Sequence, residues 1–553
     1  MSHLLAISIG PVQDFIAAAR KTRDLLNGSE LLSTIATVIA QALGGCGELV
    51  FPASGAGSAP NKIVCLVEGD PAEAASKARA AAQAAFDEAV DAAVKQVNEA
   101  RVADCFDRET LRAQCEEFLE FYAAWVPVGP EGYAAARERC EALLAGRKGL
   151  RDFAQPTWAK GRPKSSLDGG RDTVIAEDAT DEQLGRLSIK RTEQLDGVSV
   201  VKRLLDKGEA RFPSVVRVAA DPFWRSLPPE RLEAVRAFAG DHQAGDLIQR
   251  LKGDAAALYS DFPWDIDPSL WHEGGEAPCD LVKGFRCAVD QGQPGPYYTI
   301  LAADGDRMGQ ALSRLTSKEA HQRFSAQLAE FAGRVRKIVT EQRGALVYAG
   351  GDDVLAFLPM DKALRCAREL REAFDKVAEG LGLDETPTLS VGIAIVHIHE
   401  NLRTALEFAR SAERAAKNGG RNALAIARHT RGMGPDAPTV VRSWTNQPVE
   451  SYEQYGEWIR DGILPSGFAY EIRALARELD GIDLRGLAGL AGGEFERILK
   501  RKQVPKERIA DVMQRLLADL AALGGASPVS LRALSDSLII AKHLAPAKGG
   551  GLR

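Results

Sequence analysis

The sequence lacks the cysteine pairs from which zinc knuckles and disulfide frameworks are built. Its eight cysteines are scattered, and no two stand in a C-x-x-C pair. This spacing argues against a structural zinc site and a disulfide-stapled secreted protein, and it predicts reduced cysteines in a cytoplasmic protein. The cysteines are Cys46, Cys65, Cys105, Cys115, Cys140, Cys279, Cys287 and Cys366.

Long apolar runs and an excess of basic charge are also missing. No apolar stretch approaches the roughly 20 residues that a membrane-spanning helix needs. The N-terminus has no basic segment before a long apolar one, so no signal peptide is predicted. The formal net charge is −6, and any contact with RNA must therefore come from local basic patches.

What the chain does have is length and an ordinary globular composition. Its 553 residues, 45% hydrophobic and 26% charged, are too many for one hydrophobic core. The element pattern predicts an α+β fold with two ferredoxin-like units, an irregular helical insert between them and a C-terminal helical bundle. The predicted boundaries are 1–150 for the first unit, 151–290 for the insert, 291–432 for the second unit and 433–553 for the helical domain.

The first unit begins with a buried strand that ends at Gly10-Pro11. We predict a basic helix from Gln13 to Leu26, a break at Asn27-Gly28-Ser29, and a second helix that Ser29 caps. The later elements give a βαββα order with helices on one face of the sheet. They are strands over 48–51 and 62–67 and an Ala-rich helix over about 71–100.

The second unit repeats this order, which predicts an internal duplication. Its first strand runs into Asp304-Gly305-Asp306, and a hairpin over 345–358 carries Asp352 and Asp353. The first unit has no acidic residue at the corresponding places, so we predict one catalytic and one degenerate copy. The alternative is that a common fold simply occurs twice.

The segment Gly350-Gly351-Asp352-Asp353 lies between two apolar runs, the pattern of a tight hairpin. The glycines allow positive φ and leave room for a phosphate near the backbone. Adjacent carboxylates at a hairpin tip repel each other, and a divalent cation relieves that repulsion. With Asp304 from the neighbouring strand, they form a hard-oxygen set suited to two Mg²⁺ or Mn²⁺ ions in nucleotidyl transfer.

Three further residues are candidates with alternatives. Asp306 either completes the metal shell, through its carboxylate or its carbonyl, or caps the following helix. Lys417 and Arg421 end an Ala-rich helix and would face an incoming triphosphate. The alternative is that Lys417 is an ordinary cation at a helix C-terminus.

Two other patterns are less directed. His397 and His399 alternate on a strand and point to one face, and without a third ligand nearby we interpret them as structural. The basic run Arg20-Lys21-Thr22-Arg23 fits either a phosphate or RNA contact or a solvated surface.

Together these motifs resemble the large subunit of type III CRISPR RNA-guided effector complexes, most closely the III-B (Cmr-type) branch. The resemblance spans nearly the whole chain, and the first and fourth of its segments are specific in combination. The matching segments are Ile9–Phe15 with Ala19–Asp24 and Gly28-Ser29, Phe212–Ser214, Asp304–Gly309, Gly350–Asp353 and Ser390–Ile393.

The resemblance implies two palm domains related to GGDEF and cyclase folds, and the conversion of ATP to cyclic oligoadenylate when guide RNA has bound target RNA. It also implies other complex subunits as partners and no membrane contact. By this match Asp304, Asp352 and Asp353 hold the metals, with Asp306 as a further candidate. The implied nucleotide-binding residues are Gly28, Ser29, Gly305, Met308, Gly350, Gly351, Lys417 and Arg421.

The chain departs from the family pattern at two places. It starts directly at the first palm strand without an adjacent His-Asp pair, so we expect no HD nuclease activity. Where family members often carry a C-x-x-C zinc motif, this chain has Ser165 and Asp168, so zinc is not expected.

Three other functions stay open at this level. The same palm chemistry could join AMP to S-adenosylmethionine, a product known in this family. The chain could be a catalytically silent RNA-binding scaffold, although a scaffold has no use for adjacent carboxylates that repel each other. A free-standing diguanylate-type cyclase is disfavoured by the helical C-terminal domain.

Overall fold

The fold contains two antiparallel-based sheets joined through helical layers. The computed structural model describes residues 2–53, 60–150, 161–205, 212–241, 258–259, 278–290, 292–380, 385–431, 438–480 and 488–545. Parts of the predicted insert, such as 242–257 and 260–277, lie outside the described residues. Among the described residues, no helix combines the length and apolar character needed to cross a bilayer.

The first sheet has the strand order β2-β3-β1-β4, which is the ferredoxin-like order. Its strands are β1 (His3–Gly10), β2 (Gly47–Phe51), β3 (Lys62–Val67) and β4 (Glu120–Pro127). Its helices are α1 (Gln13–Ala17), α2 (Thr22–Gly44), α3 (Pro71–Glu99), α4 (Arg108–Glu116) and α5 (Gly132–Gly149).

Helices cover both faces of the first sheet, whereas the sequence predicted helices on one face. Leu5 and Ile7 belong to the core that α2 and α3 contribute to, and Leu4 and Ala6 pack with Ala136 of α5 on the other side. Because β1 is apolar at consecutive positions, it has no solvent face and needs a layer on each side.

The predicted break at Asn27-Gly28-Ser29 is wrong. α2 runs unbroken from Thr22 to Gly44, and Ser29 is a buried mid-helix residue. The side-chain amide of Asn27 donates to the backbone carbonyls of Lys202 and Leu205, each at 2.8 Å. Tertiary hydrogen bonds therefore override the local tendency of Asn and Gly to end a helix.

The insert packs against the first palm through short helices. Thr22 of α2 donates to the carbonyl of Pro213 in the insert at 2.9 Å. The next residue, Ser214, caps the following helix by accepting from the Arg217 amide. The helices that the structure describes in this region are α6 (Asp181–Gly185), α7 (Gly197–Leu204), α8 (Val215–Ser226), α9 (Pro229–Asp241) and α10 (Pro278–Val289).

The second sheet has the order β10-β9-β8-β5-β7-β6. Its first four strands along the chain, β5 to β8, are therefore arranged in the same order as the four strands of the first sheet. Two ferredoxin-like units, as predicted from the sequence, are confirmed. The strands are β5 (Tyr297–Asp306), β6 (Ala345–Gly350), β7 (Asp353–Leu358), β8 (Thr388–His397), β9 (Ala423–His429) and β10 (Thr439–Ser443). The helices are α11 (Met308–Ser313), α12 (Lys318–Glu341), α13 (Ala363–Glu379) and α14 (Leu402–Asn418).

Helix α14 connects β8 to the parallel strand β9 and covers one face of the sheet. Its close approach depends on Gly392 of β8, because a Cβ atom there would lie 2.6 Å from the Ala412 carbonyl carbon. Leu406 and Ala409 of α14 join the same core as Ile300 of β5.

The chain ends in a helical domain that packs on the opposite face of the second sheet. β10 belongs to that sheet although it follows residue 432, where the boundary was predicted. The helices are α15 (Pro448–Arg460), α16 (Gly467–Glu478), α17 (Ala488–Arg501), α18 (Lys506–Ala522) and α19 (Pro528–Leu544).

Candidate active site

The Gly-Gly-Asp-Asp segment forms the tight turn of the β6–β7 hairpin, with Gly350 paired to Asp353 across it. Gly351 adopts φ +71°, in the left-handed region where a side chain is strained. A side chain at Gly350 would collide with the Tyr348 hydroxyl. The turn conformation therefore requires Gly351, and the packing of Tyr348 requires Gly350. The turn brings two consecutive carboxylates to the edge of the sheet.

The end of β5 lies directly beside this turn. Ala303 pairs with Val354 of β7, which places Asp304 next to the first residues of β7. A Cβ atom at Gly305 would lie 2.8 Å from Oδ2 of Asp352 and 2.7 Å from Cγ of Met308. The structure thus brings Asp304, Asp352 and Asp353 together, with Gly305 and Met308 at the same edge.

Electrostatic repulsion in this group is evident from two pKa values. The pKa of Asp352 rises to about 7 through burial and then through the charge of Asp304. The pKa of Asp353 also rises to about 7, through burial, Asp304 and Asp352 in that order. The charges of Lys417 on Asp352 and of Arg410 on Asp353 act in the opposite direction. The site therefore carries an excess of negative charge, and a bound cation would stabilise the ionised carboxylates.

Lys417 of α14 contacts one of these carboxylates directly. Its ammonium donates to Oδ2 of Asp304 and lies 3.1 Å from Oε1 of Glu413. Burial lowers the pKa of Lys417, but its contacts with Asp304 and Glu413 outweigh burial and raise it. Arg421 follows the helix with φ +64° and an exposed side chain.

Asp306 has a structural set of partners. Its buried carboxylate accepts from the hydroxyls of Thr388 at 2.7 Å and Ser390 at 2.8 Å, and from the backbone amide of Asn422 at 2.9 Å. It ties β5 to β8 and to the start of β9. The capping alternative is wrong, because α11 begins after Arg307 without a side-chain cap.

The first-palm candidates Gly28 and Ser29 lie inside α2, which contacts β6. Both are buried in this arrangement. A Cβ atom at Gly28 would lie 3.0 Å from Cδ of Lys202, so this glycine makes room for the insert helix α7. Their proposed role toward a nucleotide stays a prediction.

A divalent ion fits the donors at this edge only in part. Within the described ranges, no three acidic, imidazole or thiol groups converge closely enough to hold a metal by themselves. Mg²⁺ is usually held by one or two carboxylates, with phosphate oxygens and water completing its shell. The raised pKa values of Asp352 and Asp353 show the uncompensated charge that such an ion would offset.

Sequence reasoning missed three side chains of this neighbourhood. Tyr348 lies over Gly350, Glu413 pairs with Lys417, and Arg410 acts on Asp353. Glu413 and Arg410 precede Lys417 by four and seven residues, which is one face of a helix. That spacing was the available signal for both.

The remaining candidates have identifiable partners. The rings of His397 and His399 stack at 5.2 Å, and Tyr297 packs edge-on against His397, as expected of structural residues. In the basic run, Lys21 donates to the Ser188 carbonyl at 2.5 Å, while Arg20 and Arg23 are exposed.

The positions of the missing zinc motif are held by hydrogen bonds. Ser165 is buried and donates to Oδ2 of Asp196 at 2.7 Å. Asp168 accepts from the Gly170 amide at 2.8 Å and pairs with Arg171. The loop between them therefore has polar contacts of its own at the two places.

Comparison with known proteins assigns both units. Residues 297–425 match the family described as Cas10/Cmr2, second palm domain, and residues 4–55 match the N-terminal family of the CRISPR-associated protein Cmr2. Both segments are therefore similar to Cas10/Cmr2 proteins. The resemblance predicted from the motifs is thereby confirmed, and the segment that carries Asp304, Asp352 and Asp353 matches the second palm domain of Cas10/Cmr2.

One curated Cas10/Cmr2 relative is similar in sequence. The CRISPR system Cmr subunit Cmr2 of Pyrococcus furiosus (strain ATCC 43587 / DSM 3638 / JCM 8422 / Vc1) is 32% identical over 250 residues. The match covers 39% of this chain and 29% of the relative. The chain thus aligns with less than a third of that protein.

Two solved structures share the fold at 14% identity. A type III-B Cmr-beta complex bound to cognate target RNA has a TM-score of 0.64 and covers 91% of this chain and 79% of its own. A Csm1–Csm4 cassette in complex with pppApApA has a TM-score of 0.50 and covers 98% and 69%.

Proposed function

We propose that this chain is the nucleotidyltransferase subunit of a type III CRISPR effector complex and converts ATP to cyclic oligoadenylate when target RNA binds the guide RNA. The observation that carries the proposal is the proximity of Asp304, Asp352 and Asp353 at one sheet edge, where their charges act on one another and Lys417 contacts Asp304. Adjacent half-buried carboxylates cost stability, and such a cost is common where a site has a chemical role.

Two relatives give the proposal its chemistry and its setting. One similar structure is in complex with pppApApA, and another is bound to cognate target RNA. The linear triadenylate is a 3′–5′ chain that still carries its triphosphate, which is what an adenylate-joining palm produces before ring closure. Guide RNA, target RNA and the other complex subunits are accordingly proposed partners.

In the proposed reaction, the 3′-oxygen of one ATP attacks the α-phosphorus of another and pyrophosphate leaves. Asp304, Asp352 and Asp353 would hold one or two Mg²⁺ or Mn²⁺ ions. When bound, these ions would activate the hydroxyl and stabilise the leaving pyrophosphate. The backbone at Gly350 and Gly351 leaves room for the phosphates.

In this arrangement Lys417 would bind the triphosphate as well as Asp304. Without nucleotide its ammonium neutralises Asp304, and Glu413 holds it from the other side at 3.1 Å. A triphosphate would compete for the same ammonium. Lys417 would thus orient the leaving phosphates from a position that its ammonium already occupies.

The deciding experiment supplies the assembled complex, guide RNA and target RNA with labelled ATP and Mg²⁺ or Mn²⁺, with and without S-adenosylmethionine. We expect cyclic oligoadenylate from the unaltered protein and a loss of at least about a hundredfold in Asp352→Ala/Asp353→Ala. Glu116→Ala/Glu117→Ala is the matched control, because it removes two adjacent exposed carboxylates of the first palm.

The other outcomes lead to different functions. A product that forms only with S-adenosylmethionine would replace the acceptor and keep the palm chemistry. Complete absence of a nucleotide product, in a complex that still binds target RNA, would favour the scaffold and overturn the proposal.

A further inference from the structure

Two adjacent buried cations fix the insert helix α7 to the first palm. Arg203 donates to both carboxylate oxygens of Asp24, at 2.7 and 2.8 Å, and to Glu193. Lys202 donates to the carbonyls of Phe15, at 2.6 Å, and Ala18. Both cations are 1% exposed. A buried charge without such partners is strongly destabilising, so these contacts determine where α7 and the corner between α1 and α2 lie.

Lys202 acts specifically on α1. Its ammonium lies 4.6 Å from the centre of the Phe15 ring, and the two carbonyls it holds are at the end of that short helix. α1 has no side-chain cap at its N-terminus. A five-residue helix is too short to be stable by itself, so Lys202 is a principal support of its position.

The first residue of α1 contacts the second palm. Arg410 of α14 donates to Oε1 of Gln13 at 2.9 Å. Arg410 precedes Lys417 by seven residues, two helical turns, and therefore lies on the same face of α14. A displacement of Arg410 along the sheet moves Lys417 by a similar amount, because the helix between them is continuous.

A cavity of about 420 Å³ lies at this junction and is lined by residues of α1, α7 and α14. Phe15, Lys202, Leu406 and Arg410 are among them. Side-chain packing therefore does not fill the space between α1 and α14. In a filled interface, packing would fix the distance between α1 and α14. Here the Gln13–Arg410 hydrogen bond contributes more to fixing that distance.

We propose that Gln13 and Lys202 are positioning residues for the second palm, which hold α14, and through it Lys417, in register with Asp304. The role in catalysis rests on the proposed nucleotidyltransferase function. The positional role does not, since it concerns contacts between the first palm, the insert and α14.

Gln13 allows a test in two directions because its side chain is exposed. Gln13→Ala removes the acceptor, and Gln13→Glu replaces it with a carboxylate that attracts Arg410 more strongly. We expect kcat for oligoadenylate synthesis to fall about threefold in Gln13→Ala, with KM for ATP less affected, and to equal or exceed the normal value in Gln13→Glu. Gln41→Ala, an exposed glutamine of α2, is the control.

The same pair of variants in an Arg410→Ala background tests the route. If Gln13 acts through Arg410, the difference between Gln13→Ala and Gln13→Glu disappears there. A difference that persists without Arg410, or equal kcat values of both variants in the normal background, would overturn the proposal.

Amide hydrogen exchange of the peptides over 402–418 gives a readout that needs no catalysis. We expect exchange in α14 to be about threefold faster in Gln13→Ala and in Lys202→Met than in the unaltered protein and the Gln41→Ala control. Unchanged exchange in a folded Lys202→Met would remove Lys202 from the proposal, and unchanged exchange in both would end it. Faster exchange in a protein that makes no oligoadenylate would support the positional role and contradict the proposed function instead.

Discussion

At the residue scale, the second palm concentrates negative charge at one sheet edge. Asp352 and Asp353 have raised pKa values of about 7 because they are half-buried near each other and near Asp304. A carboxyl group with a raised pKa binds its proton more tightly in the folded than in the unfolded chain. The stabilisation from this difference is complete at low pH and is lost as pH rises through the folded pKa.

Asp352→Asn/Asp353→Asn should therefore stabilise the protein more at pH 8 than at pH 5. Asparagine keeps the shape of the side chain but removes the repulsion, which is fully developed only above pH 7. We expect the gain in free energy of unfolding to be larger at pH 8 by about 1 kcal/mol or more. Urea denaturation of both proteins at the two pH values measures it.

The matched control is Glu116→Gln/Glu117→Gln, which removes two exposed neighbouring charges. Its effect on unfolding should be small and similar at both pH values. A gain from the aspartate variant that does not change between pH 5 and pH 8 would contradict the electrostatic description of the site.

The carboxylates themselves could be predicted from the sequence, but their surroundings could not. Asp352 and Asp353 were predicted as site residues because two adjacent carboxylates at a hairpin tip repel each other and do not stabilise the fold. Asp304 was added to them because it ends the neighbouring apolar strand. Asp306 is different: its role depends on Thr388 and Ser390 of a strand more than eighty residues later. Such long-range hydrogen bonds leave no local pattern.

At the element scale, helix α14 decides the geometry of the second palm. It carries Arg410, Glu413 and Lys417, and it packs against β8 at Gly392. A Cβ atom at Gly392 would lie 2.6 Å from Cα of Glu413. The helix therefore cannot keep its place if this glycine gains a side chain.

Gly392→Ala should destabilise the protein by about 1–3 kcal/mol, because overpacking forces α14 away from the sheet. It should also weaken the binding of ATP in the proposed reaction, since Lys417 moves with the helix. Thermal denaturation and ATP titration of the same preparation measure the two effects.

Gly333→Ala is the control for this substitution. Gly333 lies in α12 with no atom within 4 Å of a new Cβ, so alanine should be neutral or stabilise by about 0.5–1 kcal/mol. Equal stabilities of the two variants would show that α14 has more freedom at Gly392 than the structure indicates.

Periodicity predicted the long elements well and the short or edge elements poorly. The hairpin over 345–358 and the Ala-rich helix over about 71–100, which is α3, lie close to their predicted limits. Strand β4, helix α5 and strand β10 were not predicted. β4 and β10 are edge strands with mixed polarity, whose strand conformation comes from pairing with β1 and β9.

At the scale of the whole molecule, one core is continuous across three predicted domains. Leu5 of the first sheet, Val200 of the insert and Ile300 of the second sheet belong to the same buried cluster. The boundaries at 150 and 290 therefore stay a proposal about chain organisation, since the packing does not separate there.

The C-terminal helices are joined to the second sheet by a buried ion pair. Arg442 of β10 lies 2.7 Å from Oδ1 of Asp519 in α18, and both are nearly inaccessible. Tyr455 donates to the other oxygen of Asp519 at 2.7 Å. Removing one member of such a pair leaves an uncompensated buried charge.

Asp519→Ala should accordingly cost about 3 kcal/mol of unfolding free energy, and adding Arg442→Met should recover part of it, because the second change removes the orphaned charge. Denaturant unfolding of the single and double variants measures this. The control is Asp511→Ala in the same helix, an exposed residue whose loss should cost less than about 0.5 kcal/mol. A double variant less stable than the single one would contradict the argument.

Strand β10 also limits how the protein can be divided or made. A fragment that stops at residue 432 would leave β9 as a bare edge, because β10 pairs with it from Thr439 to Ser443. Uncovered edges recruit strands from other molecules. During synthesis β9 stays unpaired on this side until β10 has left the ribosome, so the second sheet is open to aggregation until then. A usable shortened form must therefore extend past Ser443.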